Sequence, residues 1–455
     1  MSAPRILLAP THRTGLAGFL AAGITEIIGA GRRQVRFHHL GAVSPAAAWD
    51  RWEGSSFLDP ALYDAETLSV LYERAVRGAD LSVLTTSHGV VDDVLPGPWS
   101  PAGIARALDC PLALVLDCRG WGSGVSALVK GFEDRLSGVN LAGLVLTGVH
   151  DRDHREVLRR ALSGVPAPVV GCVYQGDGPE WDTPAPGPWG LPLSPELVET
   201  VHRHVDAGGL ENLAGQRGFL AGGTSPPERR ETGPLVTLAA GRGFTPWSRD
   251  SIDALRAAGA RVRRLDLAGD AGLPADAAGL VIAGHLWQET LPELAGNYSL
   301  MREIRVRVAE GLPTLALGGG MLYFLRRLQD PLGRTHELAG VLSADGELLG
   351  DLEEPSYLSV RAERDTLLLS SGEAVTGWVA ADAEIDTPVS RGFPLSVGGE
   401  GWPTRQLEGA ATDTLLCSRV LVHLASCPAG TRRFVAACAD YERAGSTFSG
   451  STPSR

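Results

Sequence analysis

Short apolar runs alternate with amphipathic stretches along most of the chain, and that alternation predicts its elements. Residues 6–9 predict a buried strand, 18–30 a helix and 34–37 a second strand. Residues 65–77 read as helix, 81–85 as strand, 102–108 as helix and 112–116 as strand. A helix through 126–132, a strand at 141–146, a helix at 154–162 and a strand at 169–173 complete the series. These strands are apolar throughout, the pattern of a parallel sheet covered on both faces. A second series begins at 235–239. It continues through a helix at 250–258, strands at 261–265 and 279–283 and a helix at 299–310. The expected fold class is therefore α/β, with two doubly wound, mostly parallel-sheet domains.

Residues 207–233 are rich in glycine, proline and charge with little periodicity, and read as a linker. The expected domains are 1–206 and 234–443, followed by a polar, disordered tail over 444–455. Near the end of the second series, Thr314-Leu315-Ala316-Leu317 runs into Gly318-Gly319-Gly320 and a helix near Met321. A buried strand, a sharp turn and a helix form the nucleophile elbow, which lifts one side chain above a sheet. Here the apex is Gly318, which has no side chain to attack with.

Composition narrows the classes. Lys plus Arg at 41 against Asp plus Glu at 53 gives a net charge of −12, which argues against a nucleic-acid partner. No apolar run reaches the roughly 18–20 residues of a membrane span. The N-terminus enters a strand pattern directly, so no signal peptide is expected. The six cysteines are widely spaced, with no Cys-x-x-Cys pair, which predicts reduced thiols in a cytoplasmic protein without structural zinc.

Motifs spread along the chain add a family. Leu58-Asp59-Pro60, Asp117-Cys118-Arg119-Gly120 and Ala127-Leu128-Val129-Lys130-Gly131-Phe132 come first, then Gly311-Leu312-Pro313 and Gly333-Arg334-Thr335-His336. In this order they resemble the cobyrinic acid a,c-diamide synthase family. The resemblance implies a dethiobiotin-synthetase-like P-loop ligase domain, then a class I glutamine-amidotransferase-like domain. It also implies ATP and magnesium as cofactors, carbon–nitrogen ligation in cobalamin (tetrapyrrole) biosynthesis, and a homodimer. Fold does not carry function, which rests on the residues at each implied site.

The P-loop run is Thr11, His12, Arg13, Thr14, Gly15, Leu16, Ala17 and Gly18. Ala17 stands at the implied lysine position and Gly18 at the magnesium-binding hydroxyl. Arg13 is placed to meet an anion at the helix N-terminus. Thr85 takes the implied carboxylate position, with Asp92 and Asp117 nearby. In the second domain, Gly318 replaces the implied cysteine and Leu421 the implied histidine, while His423 keeps a second histidine position. A thiolate and its base are both needed to form and resolve a glutamyl thioester, so neither glutaminase activity nor ATP hydrolysis is expected. Gly284-His285-Leu286-Trp287-Gln288 replaces a triple-glycine loop, and Thr376-Gly377-Trp378 retains little of an implied substrate segment.

His12, His38, His39 and His88 follow predicted strands, with Asp92, Asp93 and Asp117 close by. In a doubly wound sheet those strand ends share a crevice. They read either as a metal or anion site or as polar loop residues. Trp121, Trp287 and Trp378 read equally as walls of a flat-ligand pocket or as plugs of a vacated one. Two functions follow. The favoured one is a non-catalytic or repurposed relative that binds a small ligand (tetrapyrrole, metal or pathway intermediate) or a partner enzyme. The other is a divergent ATP-dependent amide-forming ligase supplied with free ammonia or by a partner glutaminase.

Overall fold

The computed structural model describes residues 3–14, 16–30, 33–41, 56–92, 99–177, 195–216, 232–240, 244, 249–386, 394–398 and 406–449. The chain forms two compact units, residues 1–186 with 191–226, and residues 187–190 with 227–455.

The first unit opens with β1 (Arg5–Pro10), α1 (Leu16–Gly29), β2 (Val35–Leu40) and β3 (Ser56–Leu58). It continues through α2 (Ala65–Ala75), β4 (Leu81–Thr86), α3 (Pro101–Ala107), β5 (Leu112–Asp117), α4 (Val125–Arg135) and β6 (Leu141–Val149). The last elements are α5 (Arg152–Ala161), β7 (Val169–Tyr174), α6 (Pro195–His204) and α7 (Ala207–Ala214). The sheet order is β3-β2-β4-β1-β5-β6-β7, all parallel. β1 and β4 are buried at every position, as the uninterrupted apolar runs require. Leu16, Phe19, Leu20 and Ile24 of α1 pack with Ile6, Leu8, Val83 and Val115 of the strands.

The second unit begins with β8 (Leu235–Ala239), α8 (Arg249–Ala257), β9 (Arg261–Leu265), β10 (Ala277–Gly284), α9 (Leu291–Gly296) and α10 (Tyr298–Ala309). β11 (Thr314–Gly318) and α11 (Gly319–Tyr323) follow. Six short or long strands come next: β12 (Arg327–Gln329), β13 (Thr335–Glu337), β14 (Asp345–Ala362), β15 (Ala374–Asp386), β16 (Leu395–Gly398) and β17 (Gln406–Glu408). The unit closes on β18 (Ala410–Ala411), β19 (Leu415–Ser418) and α12 (Pro428–Ser449). Its main sheet, β18-β19-β11-β10-β8-β9, is parallel except for β18. β11 sits between β10 and β19, which places the elbow in the middle of the sheet.

Three features depart from the sequence reading. The linker expected from Ala207 begins instead as α7, with the Asp206 carboxylate accepting the Gly209 N–H at 2.8 Å. Leu210, Leu213 and Ala214 bury one face of it. An acidic cap and apolar residues at helical spacing thus override a Gly-Gly composition. Residues 217–231 of that stretch lie outside the described residues. The expected tail is helical as far as Ser449, as part of α12, and 450–455 lie outside the described residues. Finally, β12–β17 build an additional, mostly antiparallel sheet for which the sequence reading gave no elements.

Candidate functional site

The elbow is real in backbone terms. Gly284 at the end of β10 pairs in register with Gly318 at the end of β11. Gly318 then turns at φ 63° and ψ −126° into α11, a conformation costly for any residue with a Cβ. Its surroundings are tight. A Cβ at 318 would lie 2.7 Å from the Gly284 carbonyl oxygen and 3.5 Å from Leu421 Cβ. A Cβ at 319 would meet the Leu286 N–H nitrogen at 2.5 Å, and one at 320 would run into the Ile282 carbonyl. The two positions that the resemblance assigns to nucleophile and base therefore face each other, as glycine and leucine.

Beside this turn lies a cleft of about 380 Å³, counting the part open to solvent. Gly284, Gly318 and Gly319 border it on one side, and Leu286, Leu322 and Leu421 make it apolar. Trp378 is held over it by a two-way backbone bridge to Leu421, N–H to oxygen at 3.1 and 2.9 Å. Of the sequence candidates, His285 and Trp378 line this cleft, and both are buried. Trp287 is not among the lining residues; it packs edge-on against His285 with ring centroids 4.7 Å apart. His423 is also outside the lining. It contacts the Ser251 hydroxyl at 3.2–3.4 Å, and burial pushes it down to about 4. Cys417 and Cys427 are buried thiols raised above the usual range, first by burial. The thiolate, the reactive form, is thus disfavoured at both.

Arg419 is the lining residue that sequence reasoning missed. Its Nη1 donates to the Ala383 carbonyl at 2.7 Å, and Ala383 also lines the cleft. The available signal was position, two residues before Leu421 in the segment leaving β19.

The crevice of the first unit gathers only part of the expected set. His39 and Thr85 are register partners on β2 and β4, both buried. Burial, then the nearby His88, hold His39 at about 4, against a bond to the Gly41 carbonyl. His88 is also held at about 4, by burial and then by the Arg13 charge, with Asp92 pulling the other way. Arg13, His39, His88 and Asp92 therefore share one neighbourhood. His38 does not join it, so of the two readings the sequence left open, a site built from all four imidazoles is not what the strands assemble. Adjacent strand residues face opposite sides of a sheet, and His38 packs edge-on against Tyr72, with ring centroids 5.4 Å apart. His12 is exposed, bonds Thr11 Oγ1 at 3.1 Å and lies nearer Asp117. Asp117 is itself engaged by Arg119, whose Nη2 donates at 2.6 Å. Burial raises that carboxyl, but the Arg119 bonds outweigh it and hold it below the usual range. Trp121 is 41% exposed, and Asp93 lies outside the described residues. Among the described residues no three His, Cys, Asp or Glu side chains are arranged to hold a metal ion.

At the start of α1, the Thr14 hydroxyl accepts the Leu16 N–H at 3.3 Å. Ala17 and Gly18 are buried in the same first turn. Among the described residues no helix is long and apolar enough to cross a membrane.

Comparison with known proteins supplies the family. The chain is 29% identical to the hydrogenobyrinate a,c-diamide synthase of Mycobacterium tuberculosis over 344 residues, covering 70% of this chain and 72% of that one. The hydrogenobyrinate a,c-diamide synthase of Thermobifida fusca is 27% identical over 470 aligned positions, with 95% and 96% covered. The cobyrinate a,c-diamide synthase of Caldanaerobacter subterraneus subsp. tengcongensis is 24% identical, with 96% and 99% covered. The chain is a relative of the a,c-diamide synthases. No protein-family model matches it. The likeness to these synthases runs through both units and covers nearly the whole chain.

Proposed function

We infer that this relative of the a,c-diamide synthases is a non-catalytic or repurposed protein of cobalamin-related metabolism, which binds a ligand or partner enzyme and does not cleave glutamine. The observation that carries it is the elbow itself. Gly318 offers no nucleophile, Leu421 fills the facing position, and a Cβ placed at 318 would press on the Gly284 carbonyl at 2.7 Å. Acyl transfer from glutamine needs a nucleophile, its base and room for a tetrahedral intermediate. Gly318 and Leu421 supply neither of the first two.

The first unit supports the same reading for ATP and magnesium. The α1 turn places a buried methyl where a phosphate-binding ammonium would stand, and Thr14 already takes the Leu16 N–H. Among the described residues of that neighbourhood, His39 and His88, neutral at physiological pH, add no cation to that of Arg13. These residues do not fit an ATP–magnesium pair, so no phosphoryl step is derived.

The test uses the intact purified chain. Ammonia release from glutamine and phosphate release from ATP with magnesium are measured beside thermal shift with hydrogenobyrinate, cobyrinate, ATP–magnesium and divalent metals. Both turnover assays are expected at background. A bound ligand at 100 times its Kd adds about 2.7 kcal/mol, so a corrinoid-precursor shift with ATP and glutamine silent supports the reading. Magnesium-dependent phosphate release that rises with added ammonia would instead establish an amide-forming ligase.

A further inference from the structure

We propose that the cleft over the glycine turn binds a carboxylate group, anchored on the guanidinium of Arg419, with the apolar body of the ligand against Trp378 and Leu421. This deepens the proposed function and rests on it for one point, that the occupant is held and not cut.

Arg419 is the one formally charged side chain lining the cleft among the described residues. Its bond to the Ala383 carbonyl fixes the guanidinium at the cleft wall, since Ala383 lines the same space. That bond uses Nη1 and, among the described residues, leaves the Nε and Nη2 donors without a protein partner. Glu408, the carboxylate whose charge bears on Arg419, is spent elsewhere. It accepts the Ser418 hydroxyl at 2.8 Å and the Arg419 backbone N–H at 2.5 Å, and makes no ion pair with the guanidinium. A partly buried guanidinium with unused parallel donors matches a carboxylate in a two-pronged geometry.

The remaining wall decides the charge and size of the ligand. It is leucine, tryptophan, alanine and glycine apart from His285, so a dianion such as a phosphate monoester would meet too few donors. A monocarboxylate with an apolar stem meets both halves of the lining. The absence of a side chain at 318 leaves that stem free of any attacking group. A free small acid and an acidic side arm of a larger molecule present the same group, and the two arms of the test separate them.

The experiment titrates the intact chain by calorimetry with isovalerate and glutarate, and with their primary amides. The acids are expected to bind at least about tenfold tighter than the amides. Arg419→Gln is expected to erase that difference, and Arg419→Lys to restore it only in part. Should Arg419→Gln not fold, wild-type protein decides: isovalerate is expected to protect Arg419 from phenylglyoxal, read by peptide mass. In the second arm an octacarboxylic porphyrin replaces the small acids. Protection by the porphyrin alone places the carboxylate on a larger ligand, still at Arg419. Equal binding of acids and amides, an acid preference that survives Arg419→Gln, or protection by neither arm overturns the proposal. Ammonia release from glutamine would overturn the underlying reading instead, whatever the acids do.

Discussion

The two units end their central strands differently. After β1 the first unit closes upon itself: Thr14 satisfies the Leu16 N–H, and Ala17 and Gly18 vanish into the packing of α1. After β11 the second unit keeps a strained glycine turn and leaves a cleft beside it. The Thr14 hydroxyl competes with any anion for the Leu16 N–H at that helix start. A glycine turn does the reverse, holding backbones close while vacating side-chain volume. In the proposed reading site chemistry has left both units, and the second keeps a cleft with the Arg419 guanidinium in its wall.

The largest contrast between the units is expected in acid. His38, fully buried and held at about 3, and His39 and His88, at about 4, belong to the first unit; His423, at about 4, belongs to the second. A histidine whose folded value lies below its unfolded value near 6.5 binds its proton more readily when unfolded. Stability is therefore full above about pH 6.5 and falls toward pH 4, by about 1.4 kcal/mol per pH unit for each such imidazole. The first unit is expected to lose stability about three times as steeply. Denaturant midpoints at pH 6.5, 5.5 and 4.5, read segment by segment after pulse labelling at one common pH, check this. Equal slopes for β4 and β11 would break the comparison.

Next in size is the elbow. Gly320→Ala drives a methyl into the Ile282 carbonyl, a backbone atom that cannot rotate away. The expected cost is about 3 kcal/mol, seen as a lower denaturant midpoint for the second unit with the first unmoved. Gly318→Ala is expected to cost about 1–3 kcal/mol through its positive φ and the Gly284 contact. If it proved neutral, the turn would be far looser than its packing indicates. The smallest change falls in the first unit: Asp206→Ala removes the cap on the Gly209 N–H. A loss of about 1 kcal/mol by chemical melt is expected, whereas a true linker would show none.

Much of this was legible along the chain because apolar periodicity reports burial directly. The uninterrupted run at 112–116, short and bounded by Pro111 and Asp117, fits a strand covered on both faces better than a helix. The additional sheet was not legible. β14 carries Gly346, Gly350 and Pro355 inside one long strand, and such residues ordinarily signal turns. Its hairpin with β15 pairs residues as far apart as Asp345 and Asp386, with register shifts that no local pattern encodes. The elbow could be read in outline, since a strand, three glycines and a helix are local. Its consequence could not. That Leu421 meets Gly318, or that Arg419 shares a wall with Trp378, depends on β19, β11 and β15 being brought together.

By itself the sequence determined the fold class, the glycine at the apex, the alanine in the first turn of α1 and the family resemblance, because each is carried by residue type and order. The tertiary structure alone decided which groups meet. It turned His38 away from its neighbour His39, since strand residues alternate between faces. It folded an apparent linker into α7, since burial of Leu210 and Leu213 outweighs glycine composition. And it set Arg419 beside an apolar cleft, through a hydrogen bond to a carbonyl 36 positions away in the chain.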